Sequence, residues 1–115
     1  MPYYEHTFIA RPDLTPQQAQ NIAEEIRALV QEAGGRVVLA EYWGLRNLAY
    51  RIKKHRKGHY LHLRFEAPKH LVREIEERER FNDDVLRFLT VKVDELSEEP
   101  SPILQSRSGR DDRRR

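Results

Sequence analysis

The sequence of 115 residues contains no cysteine, which excludes a disulfide framework, a thiolate metal site and a thiol nucleophile. No apolar run approaches the length that crosses a membrane, and the first residues lack the charged and apolar regions of a signal peptide. Hydrophobic residues are scarce, at 38%, while charged residues reach 35%. These values predict one small domain with a modest core, in a cytoplasmic protein with no membrane association.

Acidic side chains are absent from one long stretch, residues 43–64. Aromatic and aliphatic residues run through that stretch, as in a pair of packed strands. The rest of the chain is acidic enough to bring the net charge to only +2, so the positive charge is segregated. Segregated charge predicts a surface that binds a polyanion, whereas the alternative is an ordinary solvated turn. The cations of the stretch are Arg46, Arg51, Lys53, Lys54, Arg56, Lys57 and Arg64.

The hydrophobic periodicity predicts a β-α-β-β-α-β order of elements. Thr15 and Gln18 have the spacing of a capping box, with Pro16 at the first helical position, and the glycine pair at 34–35 ends that helix. A polar turn over 53–57 joins two strands in a predicted hairpin. The predicted strands cover 3–10, 36–52, 59–65 and 85–93, and the predicted helices cover 16–33 and 68–81.

This order of elements predicts an α+β fold of the ferredoxin-like type, a four-stranded antiparallel sheet with two helices on one face. Two short helices can cover only one face of such a sheet, so we expect the other face to be open to a partner. We expect an RNA-binding domain over residues 1–93. The composition changes after that point to proline, serine and charged residues, which predicts a flexible charged C-terminal tail over 94–115.

No nucleotide-binding glycine loop, zinc-protease motif or nucleophile elbow is present. Glu76, Glu77 and Glu79 are predicted to form a solvated helix surface. His59 and His62 lie three apart on a predicted strand and therefore on opposite faces, which argues against a shared metal ion, and we expect them to face solvent or RNA. The sequence thus predicts no enzyme, no metal, no cofactor and no small-molecule substrate.

Two alternative functions stay open at this point. Residues 57–65 faintly resemble the first signature of the RNA recognition motif, which shares the element order and stacks single-stranded bases on its sheet. A protein of that type would be a single-strand RNA-binding regulator, although His59 stands where the signature has an aromatic residue. The pair Arg46 and Asn47 suggests an acylphosphatase-like enzyme, but nothing else in the sequence assembles an anion cradle.

A longer pattern is more specific than either alternative. Residues 41–50 read Glu-Tyr-Trp-Gly-Leu-Arg-Asn-Leu-Ala-Tyr, and Gly-His-Tyr follows at 58–60. Residues 80–87 read Arg-Phe-Asn-Asp-Asp-Val-Leu-Arg. With these motifs, residues 3–93 resemble the family of the sixth protein of the bacterial small ribosomal subunit.

The resemblance implies a protein without enzymatic activity that is a structural constituent of the small subunit. It also implies pairing with the eighteenth protein of the small subunit, and binding of the pair to the central domain of small-subunit ribosomal RNA. By position, the candidates for contact with the ribosomal RNA are Arg46, Lys53, Lys54, Arg56, Lys57, Arg87 and Lys92. The candidates for the interface with the protein partner are Trp43, Leu45, Leu48, Tyr50, Ile103 and Leu104.

Overall fold

Six elements follow one another in the predicted order in a computed structural model of the chain, which describes residues 1–101. The strands are β1 (Tyr3–Ala10), β2 (Arg36–Ile52), β3 (His55–Glu66) and β4 (Val85–Val93). The helices are α1 (Pro16–Glu32) and α2 (Lys69–Arg80).

The four strands form one antiparallel sheet in the order β2-β3-β1-β4. β1 and β3 are therefore interior strands, and β2 and β4 are the two edges. Both helices contribute to one hydrophobic cluster with the interior strands. This arrangement confirms the predicted ferredoxin-like α+β fold.

The start of α1 follows the predicted capping box. The Thr15 hydroxyl accepts a hydrogen bond from the Gln18 backbone N–H at 3.1 Å, and the Gln18 side chain accepts one from the Thr15 N–H at 2.8 Å. Pro16 occupies the first helical position, where the backbone N–H would have no partner within the helix, so the N–H that proline lacks costs no hydrogen bond. After the helix, Gly34 has a φ of +84°, the left-handed conformation that turns the chain towards β2.

The core lies between the sheet and the two helices because side chains alternate along the interior strands. Tyr4 and Phe8 of β1 point towards the helices, as do Leu61 and Leu63 of β3. Full burial of a large apolar side chain contributes about 1.5–3 kcal/mol each. The largest fully buried side chains are Phe8, Phe65, Leu61, Leu63, Ile75, His6 and Val30.

The turn between β2 and β3 is tighter than the sequence predicted. Only Lys53 and Lys54 lie outside the two strands, because β3 already begins at His55. Both lysines have positive φ values, 49° and 74°, as in a two-residue type I′ hairpin turn. Turns of this type usually carry Asn-Gly, so the two lysines in the sequence do not predict one. The predicted loop over 53–57 was therefore wrong, and its second half belongs to β3.

A bulge interrupts β2 at Gly44. This residue has a φ of +98°, and the pairing with β3 shifts register between Tyr42 and Gly44. A glycine within a strand pattern is typical of such a bulge, which bends the strand and increases its twist. The bulge directly follows Trp43, whose ring lies over β3 on the face opposite the helices.

One residue that the sequence analysis placed on a solvated helix surface, Glu79, is buried in the core and only 4% exposed. Its Oε1 lies 2.7 Å from Nε2 of the fully buried His6 in β1. Nδ1 of His6 lies 2.6 Å from the Thr90 hydroxyl. The prediction was wrong because position 79 follows the buried Ile75 by one helical turn, and a histidine on the facing strand is its partner.

Gly35 has no room for a side chain. A Cβ there would collide with the carbonyl oxygen of Glu66 and crowd Val30 and Ala67. We expect Gly35→Ala to lower the free energy of unfolding by about 1–3 kcal/mol, because backbone at the end of β3 must shift. Urea unfolding measures the loss. Gly34→Asn is the control, since asparagine tolerates positive φ, and an equal loss in both variants would contradict the steric explanation.

Candidate nucleic-acid interface

Residues 45–58, the distal part of the β2–β3 hairpin, carry concentrated positive charge, and we call them the basic hairpin. Its exposed cations take part in none of the ion pairs found among residues 1–101. Their charge is therefore not neutralised by neighbouring carboxylates and is available to an external anion. These exposed cations are Arg51, Lys53, Lys54, Arg56 and Lys57.

A series of hydrogen bonds and ring contacts holds the end of the basic hairpin that is nearest the centre of the sheet. Nε of Arg46 donates to the Trp43 carbonyl oxygen at 3.0 Å, and the Trp43 indole N–H donates to Glu41 at 2.9 Å. The indole also stacks on His62, with ring centres 4.9 Å apart and planes inclined by 20°. Arg46 is half-buried, so it anchors the hairpin on the sheet while the other cations project from it.

The structure brings one of the two predicted β4 cations to the hairpin and leaves the other apart. Arg87 donates to the Tyr50 hydroxyl at 2.9 Å, and its guanidinium carbon lies 5.9 Å from the Tyr50 ring centre. Lys92 instead pairs with Tyr4, towards the other end of β1, and lines a groove with Lys69 of α2. Six of the seven predicted RNA-binding residues thus belong to one region, and Lys92 lies outside it.

The predicted protein-interface residues differ in how accessible they are. Tyr50 is 64% exposed and Leu45 is 48% exposed, whereas Leu48 and Trp43 are half-buried. The Trp43 ring is largely engaged in packing on β3, so less of it is available to a partner than the sequence suggested. The remaining candidates, Ile103 and Leu104, lie outside the described residues.

Sequence reasoning missed two exposed apolar residues of β4. Leu89 is 64% exposed and Val91 is 47% exposed, both on the sheet face away from the helices. A signal for them existed, because residues 85–93 carry apolar side chains on both alternating faces and the helices cover only one. Exposed apolar residues on a sheet edge are typical of a surface that binds another chain.

The sheet face opposite the helices is partly covered by the chain itself. Residues 94–101 run over this face and end in what we call the clasp, formed by Ser101, Glu41 and Arg64. The Ser101 hydroxyl and N–H donate to the two oxygens of Glu41, at 2.5 Å and 2.9 Å. Arg64, only 7% exposed, donates to the Ser101 hydroxyl at 3.0 Å and to the carbonyl oxygen of Ser97 at 2.9 Å.

The expectation of a fully open face therefore holds only in part. The Arg64 side chain projects from β3 onto this face of the sheet. Its guanidinium donates hydrogen bonds to the carbonyl oxygens of Ser97 and Glu99, which lie in a segment without regular secondary structure. The hydrophobic pattern of the sequence cannot predict that an arginine is buried in this role. The predicted domain boundary after residue 93 and the flexibility of the tail stay predictions, because residues 102–115 lie outside the described part of the chain.

The clasp is accompanied by two shifted pKa values. Burial alone would raise the pKa of Glu41, but hydrogen bonds from Ser101 and the Trp43 indole outweigh it, and the pKa of Glu41 is lowered. Burial lowers the pKa of His62, and the positive charge of Arg64 lowers it further, against the pull of nearby carboxylates. At neutral pH the arrangement therefore favours an ionised Glu41 beside an uncharged His62.

His59 and His62 of β3 are buried and do not face solvent or RNA as we expected. His59, 2% exposed, lies with Nδ1 2.7 Å from the Tyr42 hydroxyl and Nε2 2.7 Å from the Leu14 carbonyl oxygen. His62, 4% exposed, accepts a hydrogen bond from Nε of Arg64 at 3.1 Å. The two do lie on opposite faces, as their spacing predicts. Their burial could not be read from the sequence because it follows from the interior position of β3.

The lowered pKa of His62 predicts acid sensitivity. An unfolded chain takes up this proton near the ordinary value of 6.5, whereas the folded chain takes it up only at lower pH. This contribution to stability is therefore complete above pH 6.5 and is lost as the pH falls towards the folded pKa. We expect urea unfolding to show less stability at pH 5.5 than at pH 7.5, and His62→Gln to reduce that difference. An identical pH dependence in parent and variant would contradict the assignment.

The fold and the basic hairpin together define a small ferredoxin-like domain of the RNA-binding class. Among residues 1–101 there is no group of side chains that could hold a metal ion. In the same part of the chain, no helix combines the length and apolar character needed to span a membrane.

The family is shown by comparison with known proteins. The model of the ribosomal protein S6 family matches residues 3–92, and the chain belongs to this family. The small ribosomal subunit protein bS6 of Caulobacter vibrioides is 53% identical over 107 residues, covering 93% of this chain and 85% of the relative. The protein of the same name from Dinoroseobacter shibae is 49% identical over 114 residues, covering 99% and 97%. This is a family of ribosomal structural proteins and not a family of enzymes.

A solved structure agrees with the fold. The crystal structure of 30S ribosomal protein S6 from Thermotoga maritima superimposes with a TM-score of 0.74 and covers 99% of this chain and 98% of its own. At 23% identity this likeness supports the fold alone. The predicted resemblance, which relied on residues 41–50, 58–60 and 80–87, is thus confirmed by the family match.

Proposed function

We propose that this protein is a structural component of the cytoplasmic small ribosomal subunit. It binds the central domain of small-subunit ribosomal RNA together with small-subunit ribosomal protein eighteen, and it performs no catalysis. Membership in the ribosomal protein S6 family supports the ribosomal assignment. The observation that carries RNA binding is the basic hairpin, whose five exposed cations have no carboxylate partner among the described residues.

The backbone of the hairpin tip supports the same conclusion. Lys53 and Lys54 both adopt positive φ, which costs a residue with a side chain about 1–2 kcal/mol relative to glycine. Asn-Gly would form the same turn with less strain. Lysines thus occupy the tip against the local conformational preference, as is typical of residues that serve function and not stability.

The chemistry of the hairpin suits contacts with phosphate. Lysine offers a mobile point charge, and arginine offers a planar fork that donates two parallel hydrogen bonds to phosphate oxygens. Each cation that neutralises a phosphate releases a counterion, so binding gains free energy but depends on salt. Contacts of this kind position a protein on folded RNA without reading its sequence. The role that follows is stabilisation of one folded arrangement of the RNA.

The protein partner is proposed to dock beside the basic hairpin. Leu45 and Tyr50 are exposed at the hairpin, and Leu89 and Val91 are exposed on β4, at the opposite edge of the sheet. Apolar contacts of this kind form the core of protein interfaces, while the cations next to them remain available to RNA. A surface that carries both exposed apolar residues and exposed cations explains why one chain would bind RNA and a second protein together.

The single-strand alternative is less well supported by the geometry. A recognition-motif protein needs aromatic rings that face outwards from the sheet for stacking on bases. His59 points to the helix side, and Tyr60 and His62 lie under the Trp43 ring. The acylphosphatase alternative is supported by the pair Arg46 and Asn47 alone, and Nε of Arg46 already donates to the Trp43 carbonyl oxygen.

A binding experiment tests the proposal. We expect the protein to bind a folded central-domain RNA fragment more tightly when protein eighteen is present, and to bind short unstructured RNA weakly. Filter binding with both RNAs, each with and without protein eighteen, gives the comparison. Equal affinity for unstructured RNA in the absence of the partner would overturn the proposal in favour of the single-strand reader.

A further inference from the structure

The basic hairpin extends beyond the strand that supports the rest of β3. β1 ends at Ala10, which pairs with His59. From Gly58 to the tip, β3 pairs with no strand of the described chain other than β2. A hairpin of only two strands is marginally stable in isolation. Its direction relative to the sheet therefore depends on contacts outside the strand ladder.

One such contact lies where the hairpin leaves the sheet. A Cβ at Gly58 would collide with Cγ2 of Ile9 and would lie 3.1 Å from the carbonyl oxygen of Ala10. The backbone at Gly58 is therefore packed directly against the end of β1. This packing fixes the hairpin at its start, and a second contact nearer the tip is needed to fix its direction.

An irregularity in β2 changes the course of the strand near the tip. The register shifts between Asn47 and Ile52, and the β3 partners of these two residues are only two positions apart. The four residues 48–51 of β2 thus lie opposite a single residue of β3. Extra residues of this kind bend a strand and redirect its side chains. Tyr50 lies within this stretch and is 64% exposed.

The redirected Tyr50 meets Arg87 of β4, the strand at the opposite edge of the sheet. Its hydroxyl accepts a hydrogen bond from the Arg87 guanidinium at 2.9 Å, and the guanidinium carbon lies 5.9 Å from the centre of the ring. Neighbouring strands are about 4.8 Å apart, so about 14 Å of sheet separates β2 from β4. This contact connects the hairpin with the far edge of the sheet, and we call it the latch.

We propose that the latch fixes the direction of the basic hairpin, so that the exposed cations are already arranged before a folded RNA binds. This inference rests on the proposed function. It gives Arg87 a positioning role, through Tyr50, in place of direct contact with phosphate. Without the latch, only a fraction of the molecules would have the competent arrangement, and the apparent affinity would fall by that fraction. Order in the free surface thus raises affinity without adding a contact to the RNA.

Two variants weaken the latch, and a third removes the same charge outside it. Tyr50→Phe removes the hydroxyl and keeps the ring for the protein partner, and Arg87→Gln removes the guanidinium. Arg51→Gln is the matched control, because it removes one exposed cation next to Tyr50 in sequence. All three side chains are exposed, so the substitutions create no cavity in the core. Each variant is made in the full chain.

The direction of the hairpin is measured in the free protein. The chain contains no cysteine, so two introduced cysteines carry spin labels at defined positions. Ala28→Cys on α1 and Arg56→Cys on the hairpin are both exposed, and pulsed electron resonance gives the distances between the labels. We expect a narrow distance distribution in the parent and in Arg51→Gln, and a clearly wider one in Arg87→Gln. Tyr50→Phe should lie between them, because the ring still faces the guanidinium.

RNA binding then separates position from charge. With protein eighteen and the central-domain fragment, we expect Arg87→Gln to bind about three- to five-fold more weakly, with an unchanged salt dependence. Tyr50→Phe should lose less affinity, again with an unchanged salt dependence. Arg51→Gln should make the slope of log affinity against log salt shallower by about one, because a phosphate contact is lost. The double variant should bind no more weakly than Arg87→Gln, because both changes break the same contact.

A distance distribution that stays narrow in Arg87→Gln would overturn this inference, and so would a wider distribution with unchanged RNA affinity. An effect of Arg87→Gln with none in Tyr50→Phe would contradict the contact that defines the latch. A salt slope reduced by Arg87→Gln as much as by Arg51→Gln would assign Arg87 to phosphate and overturn its positioning role. In all these cases the proposed function would stand. If the parent itself failed to bind the RNA, the proposed function would be overturned, and with it the role of the latch in RNA binding.

Discussion

Neutralising the basic hairpin should reduce affinity for the central-domain RNA by roughly 100-fold at low salt, because four phosphate contacts are lost together. The variant combines Lys53→Asn, Lys54→Gly, Arg56→Gln and Lys57→Gln. All four side chains are exposed, so their removal creates no cavity and leaves no buried partner unpaired. Filter binding in the presence of protein eighteen measures the loss.

The same substitutions are designed to leave the fold intact or to stabilise it. Asn-Gly is the preferred sequence for a type I′ turn, so the two turn substitutions should raise the free energy of unfolding by about 1 kcal/mol or more. Affinity and stability are then expected to change in opposite directions. A fall in both would show that the lysines serve the fold, and the RNA-binding role would have to be abandoned.

A variant with the same loss of charge elsewhere provides the matched control. Four cations of α2 are exposed on the helix, away from the hairpin. Replacing them by glutamine lowers the net charge by the same amount and should change RNA affinity by only a few-fold. If both variants lost affinity equally, net charge and not the hairpin would explain binding. The four α2 cations are Lys69, Arg73, Arg78 and Arg80.

Glu79→Ala should lower the free energy of unfolding by about 3–5 kcal/mol, the largest effect on stability that we expect from a single polar residue. It would leave the fully buried His6 without the carboxylate that lies 2.7 Å from its Nε2. Removing one partner of a buried polar pair is strongly destabilising, because the other remains desolvated without a partner. Urea or thermal unfolding measures the change.

Two further variants test the explanation for Glu79. Glu77→Ala, at an exposed position of the same helix, should change stability by less than about 0.5 kcal/mol. The double variant His6→Phe with Glu79→Leu removes both polar groups and should recover much of the loss, since buried pairs can be replaced by apolar residues. If Glu79→Ala lowered the free energy of unfolding as little as Glu77→Ala, the contact between His6 and Glu79 would contribute little to the stability of the fold.

The elements that could be predicted from the sequence are those with strong local signals. The capping box at Thr15 and Gln18 fixed the start of α1, and it forms with the expected hydrogen bonds. The alternation along residues 3–10 puts Tyr4 and Phe8 on the same face of the strand, and both are buried in the structure. The absence of acidic residues from 43–64 identified the basic hairpin before any contact was known. Local propensity and hydrophobic period decide these features, so no tertiary information was needed.

The errors concern residues whose environment is set by distant parts of the chain. Glu79 is buried because His6 faces it from β1, and Arg64 is buried because a segment over thirty residues away lies on it. Lys53 and Lys54 form a tight turn because Ile52 and His55, on either side of it, pair with each other. Lys92 lies away from the hairpin because it occupies the opposite end of β4. Such positions follow from topology and register, which residue patterns alone do not give.

The salt dependence of RNA binding tests the central claim most directly. It is measured as the slope of the logarithm of affinity against the logarithm of salt concentration, for the parent and the four-cation hairpin variant, with protein eighteen present. We predict a steep negative slope for the parent and a slope that is shallower by about three for the variant, close to one phosphate contact per cation removed. Equal slopes for the two proteins would show that the hairpin cations do not contact the RNA.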